Sequence, residues 1–406
     1  MTNNLLTSVR RSIVGGASKH RYLFRDEFTT DLAAGSVDET ACEPGPGTRN
    51  VVDTGSFLPL VSGVVATTDA TATGDPSIYI KEPIARAAGR MGWGWMKRNA
   101  RGYIGFEDAN SGSPAKTASA ITATNLVVRD AELSIDLGET IAVNQWYEYL
   151  HALREAGAFY FVRGQAFTNM TLVYIGDADA TATLYYGGAD RVSGADLTAW
   201  KSFRIPKKLW LPTPIASDGM SALGTTDGAG HAEGIAGGLG AGGTGLAWTD
   251  QVGAWEIAAG ARNSSALAGG LAICTVPTGT DDLYIDVECT RVGSELGIAA
   301  RYTDGNNYLR AYHDGVNAVL DEVVAGAPNN LITAANAYAA GAVLALSLEG
   351  QTARLIYNKV YVGKTAVINA GLTATNAGLY TTDIANTFDD FRVYARGTGG
   401  EYNYFF

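Results

Sequence analysis

Strict two-residue alternation between Asp282 and Thr290 constrains this chain more than any other feature. In DLYIDVECT, Leu283, Ile285, Val287 and Cys289 fall on one side; Tyr284, Asp286, Glu288 and Thr290 fall on the other. Successive strand side chains point to opposite faces, so this segment reads as a half-buried strand. The same rhythm recurs at Gly297–Tyr302, Tyr308–His313, Val316–Val324, Val343–Leu348, Ala353–Tyr357 and Phe388–Tyr394. Asp304-Gly305-Asn306-Asn307, Asp314-Gly315, Gly326, Glu349-Gly350 and Tyr361-Val362-Gly363 stand between these runs. Glycine accepts the positive φ that a tight hairpin needs. Short strands spaced roughly 8–12 residues apart predict an antiparallel sandwich or barrel.

The first half behaves alike. Tyr103–Phe106, Thr124–Val128, Glu132–Ile135, Gln145–Arg154, Ala158–Arg163 and Thr171–Ile175 read as strands. Trp146–Gly164 is expected to form a hairpin around Glu155-Ala156-Gly157. A helix over Tyr147–Ala156 competes, because Leu, Arg, Glu and Ala favour helix. Aromatics on both sides of the glycine favour strands. Two markers suggest a duplicated fold. Asp26-Glu27-Phe28 and Asp218-Gly219-Met220 open the copies; Ser202-Phe203-Arg204-Ile205 and Asp390-Phe391-Arg392-Val393 close them, at offsets of 192 and 188 residues. Pro206, Pro212 and Pro214 stiffen the connector between them. Gly219–Ala247 then carries 11 Gly in 29 residues, without a GxxxxGK[ST] motif or a following helix, so nucleotide binding is not expected. The expected architecture is all-β: an N-terminal arm (1–21), a first sandwich (22–205), a Pro-rich linker and Gly-rich loop (206–247), a second sandwich (248–396) and a C-terminal tail (397–406).

Charge and composition exclude several functions. The net charge is −11, which argues against nucleic acid as the main partner. Four His and three Cys, with no CxxC or HExxH, give no expectation of a metal or other cofactor. No apolar run reaches the roughly 18 residues a spanning helix needs. Arg10 and Arg11 interrupt the apolar segment of Met1–Gly16, so a secretory leader is not expected. Five Lys/Arg and no acid lie within Met1–Arg25. Arg10, Arg11, Lys19 and Arg21 are candidates for an assembly arm.

Catalytic residues are not expected. Asp286 and Glu288 share a strand face, as do Glu132 and Asp136, but a solvated face explains both pairs. Two acids on one exposed face should both stay ionised, which disables general-acid catalysis. No G-x-S-x-G is present. His231 and His313 read as surface histidines, and Cys289 as a small core residue. Sugar sites combine aromatic faces with amides and carboxylates. Two places offer that mixture: Asp304, Asn307, Tyr308, Tyr312 and Asp314 around one hairpin, and Trp93 with Trp95 on one face of Met91–Met96.

Trp248, Gly253-Ala254-Trp255-Glu256-Ile257, Gly297–Tyr302, Asn306–Tyr312, Gly378-Leu379-Tyr380 and Phe388–Val393 together resemble concanavalin-A-like jelly-roll domains of the laminin-G, lectin and glucanase group. The resemblance spans about 245–396. It implies two jelly rolls, with possible glycan binding or laminarinase-like hydrolysis. The E-x-D-x-x-E strand of the hydrolases is not matched, since Tyr284 stands where an acid is needed. The whole chain is similar in style to tandem-domain virion proteins of tailed bacteriophages. That implies a non-enzymatic structural or adhesive component (capsid decoration, tail or fibre), made in the host cytoplasm and carried in the virion. Its partners would be other virion proteins through the arm, copies of itself and a host surface glycan. The alternatives are a glycoside hydrolase and a stand-alone carbohydrate-binding module.

Overall fold

The structure is a computed structural model that describes the greater part of residues 22–396. Residues 1–21 and 397–406, the stretches 34–36, 44–46, 53–57, 67–76, 98–100, 108–116, 177–182, 191–197 and 221–245, and scattered single residues and pairs lie outside the description. The expected assembly arm and nearly all of the Gly-rich stretch therefore lie outside the described residues. Among the described residues every regular element is a strand, and the strand pairs are antiparallel. The chain divides into two compact units, the first ending at Leu211 and the second running Pro212–Gly397.

In the first unit one sheet runs Phe167–Ile175, Ala158–Gly164, Trp146–Leu153, Met91–Lys97, Ala199–Pro206, Val64–Ala66, Leu60–Val61, with Tyr22–Asp26 also on Ala199–Pro206. Its other sheet runs Leu133–Thr140, Asn125–Asp130, Thr117–Thr122, Arg101–Glu107, Thr183–Asp190, Ser77–Ile80, Arg49–Val52, and Ile84–Ala85 also pairs with Thr183–Asp190. The second unit repeats this order. Val360–Val367, Thr352–Tyr357, Ala342–Glu349, Leu283–Thr290, Thr387–Ala395, Ala261–Ala266 and Ala254–Ala258 form one sheet, with Ala216–Asp218 also on Thr387–Ala395. Ala327–Ala335, Asn317–Val324, Asn307–His313, Leu296–Asp304, Asn376–Thr381, Ala272–Pro277 and Thr249–Val252 form the other. Each unit is thus a β-sandwich with the same connectivity.

Alternation places the cores. Leu283, Ile285, Val287 and Cys289 from one sheet meet Leu296, Ile298, Leu309 and Leu379 from the other inside the second unit. In the first unit Trp200 crosses the interior and donates its indole N–H to Tyr103 O at 2.9 Å. The helix alternative over Tyr147–Ala156 fails. Leu153 pairs with Ala158, and Trp146–Leu153 is a strand with nearly every residue buried.

The two opening markers do the same work. Asp26 Oδ1 accepts from the backbone N–H of Phe28 at 2.9 Å, and Asp218 Oδ1 accepts from that of Met220 at 2.8 Å. Phe28 and Met220 both take positive φ, 52° and 50°. Asp26 pairs with Phe203, and Asp218 with Phe391. What surrounds the carboxylates differs. Asp26 binds the buried Arg49 guanidinium at 2.6 and 2.8 Å, whereas Asp218 accepts from Trp248 Nε1 at 2.8 Å. Within 206–247, read from sequence as connector, both described ends belong to the units. The backbone N–H of Trp210 donates to Gly89 O at 2.7 Å, and Ala216–Asp218 is a strand of the second unit.

Buried titratable groups complete the interiors. All three cysteines are unpaired with each other and buried. His313 departs from its surface reading. It is buried; its Nδ1 accepts from the backbone N–H of Gly315 at 2.9 Å, its Nε2 lies 3.0 Å from Asn336 O, and its ring stacks 4.5 Å from that of Tyr357. Burial holds its pKa below the ordinary value. His151 is fully enclosed, with Tyr160 and Tyr186 near its ring, and burial pushes its pKa down to about 3. A group whose folded pKa lies below its unfolded value stabilises above the unfolded value and loses that contribution as pH falls. The first unit should therefore lose stability between about pH 6.5 and about pH 3, by about 1.4 kcal/mol per pH unit from this residue. Thermal melts at stepped pH should show the slope, and His151→Gln should flatten it.

Candidate functional site

The seven-stranded sheet of the second unit carries an ordered polar cluster on the face turned away from the core. Alternation puts Leu309 and Ala311 inward and Tyr308, Arg310 and Tyr312 outward. The register then aligns Ala299, Arg310, Asp321 and Asn330 side by side across four strands. Arg310 Nε and Nη2 donate to Asp321 Oδ2 at 3.0 and 2.8 Å, and Nη1 donates to the Tyr380 hydroxyl at 2.7 Å. Tyr312 OH donates to the same Asp321 oxygen at 3.2 Å, and Asn330 Nδ2 donates to its Oδ1 at 2.8 Å. The Tyr380 hydroxyl in turn donates to Glu295 Oε2 at 2.5 Å.

Arg310 also lies over two rings, 5.1 Å from the centroid of Tyr312 and 5.4 Å from that of Tyr380. Those rings are 5.9 Å apart. Gly297 sits between them in register, and a Cβ there would fall 2.0 Å from Ala311 O, so only glycine fits. Tyr302 and Tyr308, both buried, extend this aromatic layer, with centroids 5.8 Å apart. Burial and the bond to Glu295 raise the Tyr380 phenol well above its ordinary pKa. Burial alone would lower the Arg310 pKa, but Tyr380 and Asp321 outweigh it and hold the guanidinium charged. Asp321 is buried, Arg310 half-buried and Asn330 exposed, so the cluster grades from an enclosed base to a wet edge.

Sequence reading finds part of this face. Tyr308 and Tyr312 are on it. Asp304 and Asn307 lie at one end of the Asn307–His313 strand and Asp314 beyond the other, so they do not converge. Their polar groups serve the turns. Asp304 Oδ1 accepts from Asn306 N at 2.7 Å, and Asp314 Oδ1 accepts from Val316 N and Asn317 N at 2.8 and 2.6 Å. Asn307 Oδ1 accepts from Ala325 N at 3.1 Å. Arg310, Asp321, Asn330, Glu295 and Tyr380 escape sequence reading. The available signal was the outward triplet Tyr308-x-Arg310-x-Tyr312. Arg301, the other arginine of the resemblance motif, is structural: it is buried and donates to Leu372 O and Gly350 O at 2.9 and 2.7 Å.

Trp93 and Trp95 lie in the first unit, on the outer face of the Met91–Lys97 sheet. The glycines decide this: a Cβ on Gly92 would meet the Tyr186 ring at 2.2 Å, so Gly92 and Gly94 face the interior and the tryptophans face away. Arg204 lies 4.0 Å from the Trp93 centroid, and Lys201 Nζ lies 5.0 Å from that of Trp95 and 4.4 Å from that of Trp146. Glu148 is enclosed beside them and paired with Arg163, and burial raises its pKa.

The strand Leu283–Thr290 holds the corresponding place in the second unit. Asp286 pairs with Arg392 at 3.1 Å. Glu288 stands directly opposite Asp389. The expectation that both acids on this strand lie on a solvated face is corrected: Asp286 is buried, and a closer environment surrounds the half-buried Glu288. Its carboxyl is raised by partial burial and by Asp389 and Asp390, acids from a strand about 100 residues away that local reading did not bring near. In the first unit Asp136 accepts from Asn125 Nδ2 at 2.8 Å, and Glu132 lies outside the described residues. Among the described residues no group of three or more His, Cys, Asp or Glu is placed to hold a metal ion, and no helix is long and apolar enough to cross a membrane.

No family model matches the chain, and no curated protein matches it. Solved structures similar to it include the carbohydrate-binding module CBM66 from Bacillus subtilis, at 16% identity over 36% of this chain and 94% of that one, with a TM-score of 0.33. SCLam, a non-specific endo-β-1,3(4)-glucanase of family GH16, is similar at 10% identity over 47% of this chain and 92% of that one, TM-score 0.32. The VIP36 lumenal domain in its Ca2+/Man3GlcNAc-bound form is similar at 10% identity over 41% and 86%, TM-score 0.32. The fold assignment rests on the sheet order and register above.

Proposed function

We propose that this protein is a non-enzymatic glycan-recognition protein and that it serves as a structural or adhesive component of a bacteriophage virion. The observation that carries the glycan reading is the Arg310 cluster. Arg310, Glu295 and Asn330, half-buried or exposed, supply the directional donors and acceptors that hydroxyls require, above a layer of buried tyrosines. The similar solved structures named as a carbohydrate-binding module and a saccharide-bound lumenal domain agree in kind. The virion role rests on the tandem jelly-roll architecture and the basic N-terminal region. Retention of the full chain on immobilised neutral polysaccharides tests the first part. Mass spectrometry of purified particles tests the second, and absence from them would remove the virion assignment.

One observation favours hydrolysis as a second reading. Asp389 is also raised by partial burial and by neighbouring acids, so Glu288 and Asp389 form an opposed pair with upward-shifted carboxyls. Glycoside hydrolysis needs one protonated and one ionised carboxyl. Against it, Arg392 engages Asp286, and Tyr284 supplies no acid. The expected result is no release of reducing ends from β-glucans or galactans. Release that vanishes in Glu288→Gln or Asp389→Asn would establish the hydrolase.

A further inference from the structure

We infer that the outer face of the Met91–Lys97 sheet in the first unit is a second saccharide site, specific for sugars that bear a carboxylate or phosphate. The inference rests on the glycan-recognition reading above and adds a ligand class and a separate place. The face is positive on a chain whose net charge is −11. Among its described residues Arg25, Lys97, Arg163, Lys201 and Arg204 stand against Glu27 and Glu148.

Both carboxylates are engaged. Glu27 Oε1 binds Arg204 Nε at 2.6 Å and Arg25 Nε at 2.9 Å, and Glu148 pairs with Arg163. Lys97 and Lys201 have no carboxylate partner among the described residues. Register places Lys97 beside both Trp146 and Ala199, and places Lys201 beside Trp95. Two half-buried indoles, Trp95 and Trp146, therefore flank two half-buried, unneutralised ammonium groups. A sugar ring can pack against an indole while its acidic substituent meets the ammonium groups. A neutral sugar leaves that charge unanswered.

The second unit supplies an internal comparison. Where the first unit has Trp93, Trp95, Lys97, Lys201 and Arg204, the matching strands of the second have Asp286, Glu288, Thr290, Asp389 and Arg392. The shared scaffold therefore does not impose the cation–tryptophan face, which belongs to the first unit alone.

The test uses the full chain and paired probes: oligogalacturonate against its methyl ester, sialyllactose against lactose, and a phosphorylated mannose oligosaccharide against its dephosphorylated form. At least one acidic probe should bind about tenfold more tightly than its neutral counterpart, with affinity falling as salt rises. Lys97→Gln combined with Lys201→Gln should erase that preference, and Lys201→Arg should retain it. Both lysines are half-exposed, and unchanged near-UV circular dichroism would confirm that the double variant folds. Equal affinity within every pair, or a preference that survives the double lysine variant, would overturn the inference. So would tighter binding of a single-stranded oligonucleotide through the same lysines. If neutral glycans bind through Arg310 without any acidic preference, this inference alone fails. If no glycan of either kind binds, the glycan-recognition reading fails with it.

Discussion

Arg310→Ala is expected to lower affinity for neutral polysaccharide by roughly 100-fold, the range seen when a central anchoring arginine is truncated. The half-buried guanidinium is held by three enclosed groups: the Asp321 carboxylate, the Tyr380 hydroxyl and the ring of Tyr312. Truncation also strands Asp321, a buried carboxylate, without its cation. Breaking such a pair from one side costs about 3–5 kcal/mol, so part of the loss could come from a destabilised sheet. A double variant, Arg310→Gln with Asp321→Asn, separates the two effects. It removes both charges and keeps hydrogen-bonding groups in place. Affinity electrophoresis should show loss of retardation in both variants, with the melting temperature largely recovered in the double one. Retardation unchanged in Arg310→Ala would remove this face from consideration.

Asp26→Ala should destabilise the first unit by about 3–5 kcal/mol, while Asp218→Ala should cost the second about 1–3 kcal/mol. The two residues hold the same place in the two copies, so the difference isolates what surrounds them. Among the described residues Asp26 alone offers a carboxylate bonded to the Arg49 guanidinium; both side chains are almost wholly enclosed, and the variant leaves a buried cation behind. Asp218 serves two neutral donors, Met220 N and Trp248 Nε1, and its loss leaves only unmet hydrogen bonds. Against a typical domain stability of about 5–15 kcal/mol, the first change is the more severe. Denaturant unfolding followed by tryptophan fluorescence should show one transition moving far and the other moving little. Equal displacements would contradict this account.

Much of the fold was legible because alternation is local. Leu283, Ile285, Val287 and Cys289 announce their buried face within nine residues. The hairpin between Leu153 and Ala158 is marked by aromatics and a glycine. The duplication was legible only in outline. The Asp26 and Asp218 markers can be seen in the sequence, but the shared strand order comes from long-range pairing. The site was harder for the same reason. Arg310, Asp321, Asn330 and Tyr380 come from four strands and Glu295 from the loop before a fifth, and nothing near any one of them in sequence signals the others. Local reading instead favoured Asp304, Asn307 and Asp314, where acids and amides crowd together because turns need them. With Trp93 and Trp95, sequence showed that they share a face. Only the Tyr186 ring against Gly92, from the opposite sheet, shows which face it is.

The pairing of first and last strands in each unit has a mechanical consequence. Tyr22, on the first described strand of the first unit, lies opposite Pro206 on its last, and Ala216 lies opposite Val393 in the second. A chain that enters and leaves a fold side by side gains almost no reach from it: each sandwich hangs from the backbone path like a pendant. Tension along the chain would peel the terminal pair apart one hydrogen bond at a time, rather than load the whole ladder in parallel. Under load, either sandwich should therefore yield at low force and release a long slack segment, acting as a shock absorber rather than as a rigid strut.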